Sequence, residues 1–265
     1  MTPAQEFFAR RPIFRFEEFR TLHAARGRRS ALTTATVLKQ HVKAGRLVNL
    51  RRGLYATVPR GREPQSVDID PYALACRLSP DAVVAYHAAL EFWGKAATAS
   101  SGPVFYLTLR RARPFRFRGT DYAPVLMPPA VRTLTDLASG IVVERRQGLA
   151  VRVTSLERTL VDVLHAPRYG GGWVEIWRSL ESVEAFDLDF IVLYAIRLDS
   201  ALTAARVGFY LEQHREALGV EERYLDALRR HAPRQPIYLD RGRERGRLMA
   251  GWNLVVPDYV LARAW

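Results

Sequence analysis

The chain has 265 residues, 48% of them hydrophobic and 25% charged, enough to bury one large or two modest cores without covalent staples. A single cysteine, Cys76, excludes a disulfide framework and a thiolate metal cluster within the chain, and no apolar stretch approaches the ~20 residues of a spanning helix. The net charge of +13 is unevenly held: residues 1–64 carry 14 basic and 4 acidic side chains, the other 201 carry 26 and 23. The excess points to an N-terminal module that meets a polyanion, ahead of a nearly neutral body; a solvated basic face is the alternative that charge alone leaves open.

Proline at the first helical position and Gln5 two residues on predict a short helix from Thr2 to about Arg10, ended by Pro12. A second helix is expected from about Arg15 to Ala25, with Phe16, Phe19, Leu22 and His23 as its apolar stripe and Gly27 as its break. A third starts near Thr33 or Thr34 and runs to Ala44-Gly45. On a 100° wheel, Ala35, Leu38 and Val42 share one face, and Thr36, Lys39, Gln40 and Lys43 share another that has neither an acid nor an apolar residue. Two short strands, Leu47–Leu50 and Leu54–Ala56, flank Arg51-Arg52-Gly53. Three helices and a basic hairpin are the order of a winged helix-turn-helix.

A helix fits the major groove of B-form DNA, where Gln and Lys bond base edges, Ser and Thr bond base or phosphate, and arginines on a wing neutralise phosphates. The expected DNA contacts are Thr33, Thr34, Thr36, Lys39, Gln40 and Lys43 on the third helix and Arg51 and Arg52 on the wing. Arg28, Arg29 and Ser30 are expected on the backbone. Membrane adsorption fits less well, because Phe16 and Phe19 are needed for the module's own core.

The polar stretch 60–66 reads as a linker, giving a winged domain over 1–62 and an α+β domain over 63–265. In the second domain helices are expected over Pro71–Leu78 (capped by Asp70) and His87–Trp93, and strands over Val104–Leu109, Arg116–Arg118 and Tyr122–Met127. A hairpin is expected about Gln147-Gly148. Thr154 and Glu157 make a capping box opening a helix through His165. Helices follow over Phe190–Leu198 (capped by Asp189), Thr203–Glu212 and Glu222–Arg230, and then the strands Ile237–Leu239 and Leu254–Val256. The fold class is α+β, mainly helical in its last third.

The winged order followed by Leu50-Arg51-Arg52-Gly53-Leu54-Tyr55, and then by Val84–Leu90, Val153–Asp162 and Arg206–Glu212, resembles the AbiEi-type antitoxins of type IV toxin–antitoxin and abortive-infection systems. The likeness runs from about Ile13 to Pro257. It implies a cytoplasmic bacterial DNA-binding protein whose winged module binds inverted repeats at its own promoter. Such a protein represses an operon shared with a nucleotidyltransferase-type toxin, and its C-terminal domain is associated with neutralising that toxin, generally without a stable complex. A palindromic operator requires two copies, so a homodimer on DNA is expected.

Enzymatic readings are weaker. Gly171-Gly172 with Asp187-Leu188-Asp189 evokes a nucleotidyltransferase, but fourteen residues intervene, the serine usual in such a glycine turn is absent, and a further carboxylate is not evident. His87 lies among Ala88, Ala89, Leu90 and Phe92, as a satisfied buried histidine would, and no Walker loop, G-x-S-x-G or H-E-x-x-H occurs. No catalytic residue, metal or cofactor is therefore expected. Arg110, Arg111, Arg113, Arg116 and Arg118, interleaved with Phe115 and Phe117, are a candidate second nucleic-acid contact. Arg241, Arg243, Arg245 and Arg247 read as a flexible basic loop. The alternatives are an enzyme acting on nucleic acid or nucleotides with a winged targeting arm, an RNA-binding protein using the arginines of 110–118, and a solitary transcriptional regulator.

Overall fold

A computed structural model describes residues 3–25, 31–99, 102–133, 135 and 138–263. The chain begins with α1 (Pro3–Arg10), β1 (Ile13–Arg15), α2 (Phe16–Ala24), α3 (Ala31–Lys43) and the hairpin of β2 (Leu47–Arg51) and β3 (Leu54–Thr57). β1 adds antiparallel to β3, Ile13 opposite Ala56 and Phe14 opposite Tyr55, so the sheet order is β1-β3-β2. This is a winged helix. The sequence reading has no strand at β1, because three residues are too few for alternation to show and the strand exists through its partner. Glu18 folds back on the start of α2 and accepts the Arg15 amide at 2.6 Å, the acid-at-N3 half of a capping box. Phe8, Phe14, Phe19, Leu38 and Leu47 form the buried centre, with the three phenylalanine rings 5.4–6.0 Å apart.

The outer side of this small sheet is not free. Ile13, Leu50, Leu54 and Ala56 belong to one buried cluster with Leu74, Leu78, Val84, Tyr106 and Val153, so apolar packing continues across the stretch that composition marks as a linker. The next helix, α4 (Pro71–Leu78), is capped by Asp70, which accepts from the Ala73 amide at 2.8 Å. The carbonyls at and just beyond its C-terminal end, where the helix dipole is negative, are gripped by arginines. Arg15 Nη2 donates to the Arg77 carbonyl at 3.1 Å, Arg51 Nη2 to the Leu78 carbonyl, and Arg152 Nη2 to the Pro80 carbonyl at 2.5 Å. Glu18 pairs with Arg77 across the same joint.

The body is built on a six-stranded mixed sheet of order β6-β7-β5-β4-β9-β8. Its strands are β4 (Val83–Val84), β5 (Val104–Thr108), β6 (Phe115–Phe117), β7 (Thr120–Leu126), β8 (Ile141–Arg146) and β9 (Leu149–Thr154), with α5 (His87–Phe92) after β4. The β8–β9 turn lies where expected: Gln147 and Gly148 have φ of 47° and 76°, as a two-residue type I′ turn requires.

Helices α6 (Leu156–His165), α7 (Trp173–Glu181), α8 (Leu188–Arg197), α9 (Ala201–Gln213), α10 (Arg215–Leu218) and α11 (Glu222–Arg229) follow. Their apolar faces make the large core, centred on Leu160, Ile176, Trp177, Ile191, Phe209 and Leu225. The caps differ from the sequence reading by one or two positions. Ser155, rather than Thr154, accepts from the Arg158 amide at 3.3 Å, while Thr154 ends β9 and meets Thr159 Oγ1 at 2.7 Å. Asp187, rather than Asp189, accepts from the Phe190 amide at 3.0 Å. α7 follows Gly172 with no capping side chain, so the capping signal that announces α4, α6, α8 and α9 is missing there.

A last sheet, β10 (Ile237–Tyr238), β12 (Leu254–Pro257) and β11 (Gly246–Met249), has the order β10-β12-β11, and α12 (Asp258–Ala262) follows. β11 corrects the reading of 241–247 as a loop throughout, since Gly246 and Arg247 pair antiparallel with Pro257 and Val256.

Candidate nucleic-acid interface

α3 presents Thr33, Thr36, Lys39, Gln40 and Lys43 as exposed side chains, and its thirteen residues include no acid. The wheel needs one correction. Thr34 is fully buried, with its Oγ1 3.5 Å from His23 Nδ1, so it cannot meet DNA, and Ala35, expected inside, is exposed. A threonine hydroxyl satisfied by a histidine sits in the small core as an apolar residue would, which rotates the inward face by one position. Thr36 Oγ1 donates to the Leu32 carbonyl at 3.0 Å, leaving its lone pairs to accept. Leu32 is 79% exposed, an apolar contact of the kind a thymine methyl takes; the sequence reading did not select it. Burial, then the nearby Arg46, lowers the pKa of His41, so this helix draws its positive charge from Lys39 and Lys43.

At the wing, Arg52 is exposed at the turn, whereas Arg51 points into the joint with α4. Arg51 is therefore a structural residue and not a phosphate contact. Its guanidinium also lies 5.9 Å from the centre of the Phe115 ring, which places the start of β6 against the wing. The sequence reading missed Asn49, exposed on β2, and Arg46, exposed just after α3; their position beside a basic helix is the signal that would have found them. Arg28, Arg29 and Ser30 lie outside the described residues.

The arginines of 110–118 divide into three kinds. Arg110, Arg111 and Arg113 are exposed, and no ion pair ties them among the described residues. Arg116 is 70% exposed and 3.6 Å from Asp121. Arg118 donates to the carbonyls of Val67 and Pro64, each at 2.5 Å, and so ties the inter-module segment to β6; it is removed from the candidate contacts. Phe115 and Phe117 are half-buried, with the Phe115 ring 5.8 Å from Tyr122, and pack one sheet face.

The body's polar residues mostly serve the fold. His87 is 5% exposed and its Nε2 lies 3.0 Å from Glu175 Oε1. Glu175 also accepts from the amides of Ala97 and Thr98 and the hydroxyls of Thr98 and Ser179. Arg158 is fully buried 3.5 Å from Asp162, which accepts from the Tyr194 hydroxyl at 3.0 Å. Arg206 donates to the carbonyls of Leu164, His165 and Leu239, and at Gly208 a Cβ would run into the Trp252 ring. Asp187 is spent on its cap, and among the described residues no three His, Cys, Asp or Glu side chains converge as metal ligands. Among the described residues no helix is long and apolar enough to cross a membrane.

No family model matches the chain and no curated protein matches it in sequence. Among solved structures, the RV2827C protein from Mycobacterium tuberculosis is similar in fold, with a TM-score of 0.59 at 17% identity, covering 98% of this chain and 92% of that one. At that identity the likeness establishes the α+β architecture over nearly the whole chain.

Proposed function

We propose that the chain is a sequence-specific DNA-binding protein of the cytoplasm, acting by binding and without catalysis, as antitoxin and autorepressor of an operon shared with a nucleotidyltransferase-type toxin. The observation that carries the DNA-binding half is the acid-free, exposed face of Thr33, Thr36, Lys39, Gln40 and Lys43 on the third helix of a winged helix. A helix of this kind fits the B-form major groove, whereas A-form RNA has a deep, narrow major groove that side chains cannot read. Arg52 at the turn, and Arg110, Arg111 and Arg113 on the segment beside the wing, extend the positive surface. The resemblance of the quoted motifs to AbiEi-type antitoxins supports the second half, the pairing with a toxin.

The test is binding to duplex DNA from upstream of its own reading frame, by fluorescence anisotropy over a salt series. Gln40→Ala is expected to relax discrimination against altered operators, while Arg52→Ala weakens binding to every duplex and reduces the salt slope by about one unit. Equal, salt-insensitive losses at both positions, or tighter binding to structured RNA than to duplex at matched salt, would sink the reading. Growth rescue on co-expression with the product of the neighbouring frame tests the toxin pairing separately.

A further inference from the structure

A groove of about 760 Å³ opens on the body between the end of β7, the turn that follows α6, and the junction of α8 with α9. Its volume lies in the range that holds a cofactor-sized molecule. Tyr86 stands at its base, 2% exposed, on the sharp passage from β4 into α5. There its φ of 58° and ψ of −136° lie in a region that only glycine adopts readily, a strain of about 1–3 kcal/mol that is characteristically kept where a side chain must be aimed. The ring is held by Tyr169 at 5.0 Å and Phe105 at 6.4 Å, and its hydroxyl has no hydrogen-bond partner among the described residues. Burial holds this phenol far above its ordinary pKa, so it remains a hydrogen-bond donor.

Two guanidinium groups line the rim. Arg132 donates Nε and Nη2 to the Met127 carbonyl at 2.8 and 2.6 Å, which fixes the group and leaves Nη1 for a ligand. Arg168 lies over the Tyr169 ring at 4.6 Å and makes no ion pair among the described residues. His165, held by Thr203 Oγ1 at 2.7 Å, is kept neutral by burial and then by the nearby Arg206 and Arg168. The groove also has an apolar lining in Leu126, Pro128, Pro129 and Ala166, and Asp199, another lining residue, offers acceptors for hydroxyl groups.

A fixed phenol donor, two cations, an apolar lining and one carboxylate are the chemistry for an anionic group joined to a flat, partly apolar, hydroxylated body. We propose that this groove binds a mononucleotide, its phosphate on Arg132, Arg168 and Tyr86 and its base against the apolar lining of Leu126, Pro128 and Ala166. The site is separate from α3, so it stands or falls independently of DNA binding.

Calorimetric titration of the full chain with AMP, GMP, CMP and UMP, beside inorganic phosphate and the free nucleosides, tests it. At least one nucleotide is expected to bind one to one, tenfold or more tighter than phosphate or its own nucleoside. Arg168→Ala should weaken it roughly tenfold to a hundredfold, and Tyr86→Phe, which keeps the ring, roughly tenfold at an unchanged melting temperature. The Lys39→Ala, Lys43→Ala double variant should bind it as the wild type does, and Arg168→Ala should bind duplex DNA as the wild type does. The proposal is overturned if no nucleotide binds, if phosphate binds as tightly, if Arg168→Ala changes nothing, or if the α3 double variant abolishes binding.

Discussion

His87 shows how a residue with catalytic potential is absorbed by the fold. Burial by itself would lower its pKa, but hydrogen bonding to Glu91 and Glu175 outweighs that and raises it above the ordinary 6.5. Glu175 moves the other way: burial favours the neutral acid, yet the hydrogen bonds, led by those from Thr98, hold it below its ordinary 4.5. The imidazolium therefore stabilises the fold fully below about 6.5 and loses that contribution as pH rises through its raised value. The carboxylate stabilises above about 4.5 and loses its share as pH falls through its lowered value, so the pair is worth most between the two. His87→Gln, which keeps a donor but not the charge, should lower the melting temperature most near about pH 5.5 and least near about pH 9. An equal loss at both pH values would show that packing alone is at stake. The same residue shows what a sequence reveals at this scale. An apolar helix around His87 is enough to predict a buried, satisfied imidazole, but Glu175, 88 residues away, is not. Thr34 is misread for the same reason: its hydroxyl reads as a cap or a surface contact, while the partner that lets it be buried, His23, is on another helix.

Among elements, α4 makes the joint, and it separates two adjacent arginines that look alike in sequence. Arg51 is half-buried with its Nη2 on the Leu78 carbonyl, whereas Arg52 is exposed at the turn. Truncating Arg51 strips a charged donor from a helix-terminal carbonyl, a loss of about 1–3 kcal/mol, and leaves the DNA face untouched. Truncating Arg52 costs little stability and one phosphate contact. Urea denaturation and the salt slope of DNA binding, measured on Arg51→Ala and Arg52→Ala, should thus give opposite pictures: the first with a lower midpoint and a wild-type slope, the second the reverse. Matching effects would return Arg51 to the interface. Most elements were legible because each carries its own period, cap or turn, as the Gln147-Gly148 hairpin and the Asp70 cap do. β1 and β11 were not, since each is a short segment made a strand by pairing with β3 or β12. The exposed polar face of α3 was legible because helical spacing alone puts Lys39, Gln40 and Lys43 on one side.

Over the whole molecule, charge and packing divide the chain differently. Charge sets the first 64 residues apart from the rest, but the core does not stop there: Ile13, Leu50, Leu54 and Ala56 are buried partly by α4, β4, β5 and β9. Arg15, Arg51 and Glu18 find their partners on the far side, and Arg118 holds the connecting segment from β6. Cutting the chain at 62 would expose those apolar side chains, each of the large ones worth on the order of 1.5–3 kcal/mol when fully buried, and would leave two arginines without their carbonyls. A piece of about 60 residues has little stability in reserve against such a loss. The fragment 1–62 is accordingly expected to melt well below the full chain when both are followed by circular dichroism. Its DNA binding should also have a shallower salt slope, because Arg110, Arg111 and Arg113 are no longer beside the wing. A fragment that melts with the full chain and binds with the same slope would mean that the joint is an incidental contact and that the winged helix reads DNA unaided. If instead both quantities fall, the body both braces the winged helix and, through Arg110, Arg111 and Arg113, is part of the DNA-binding surface.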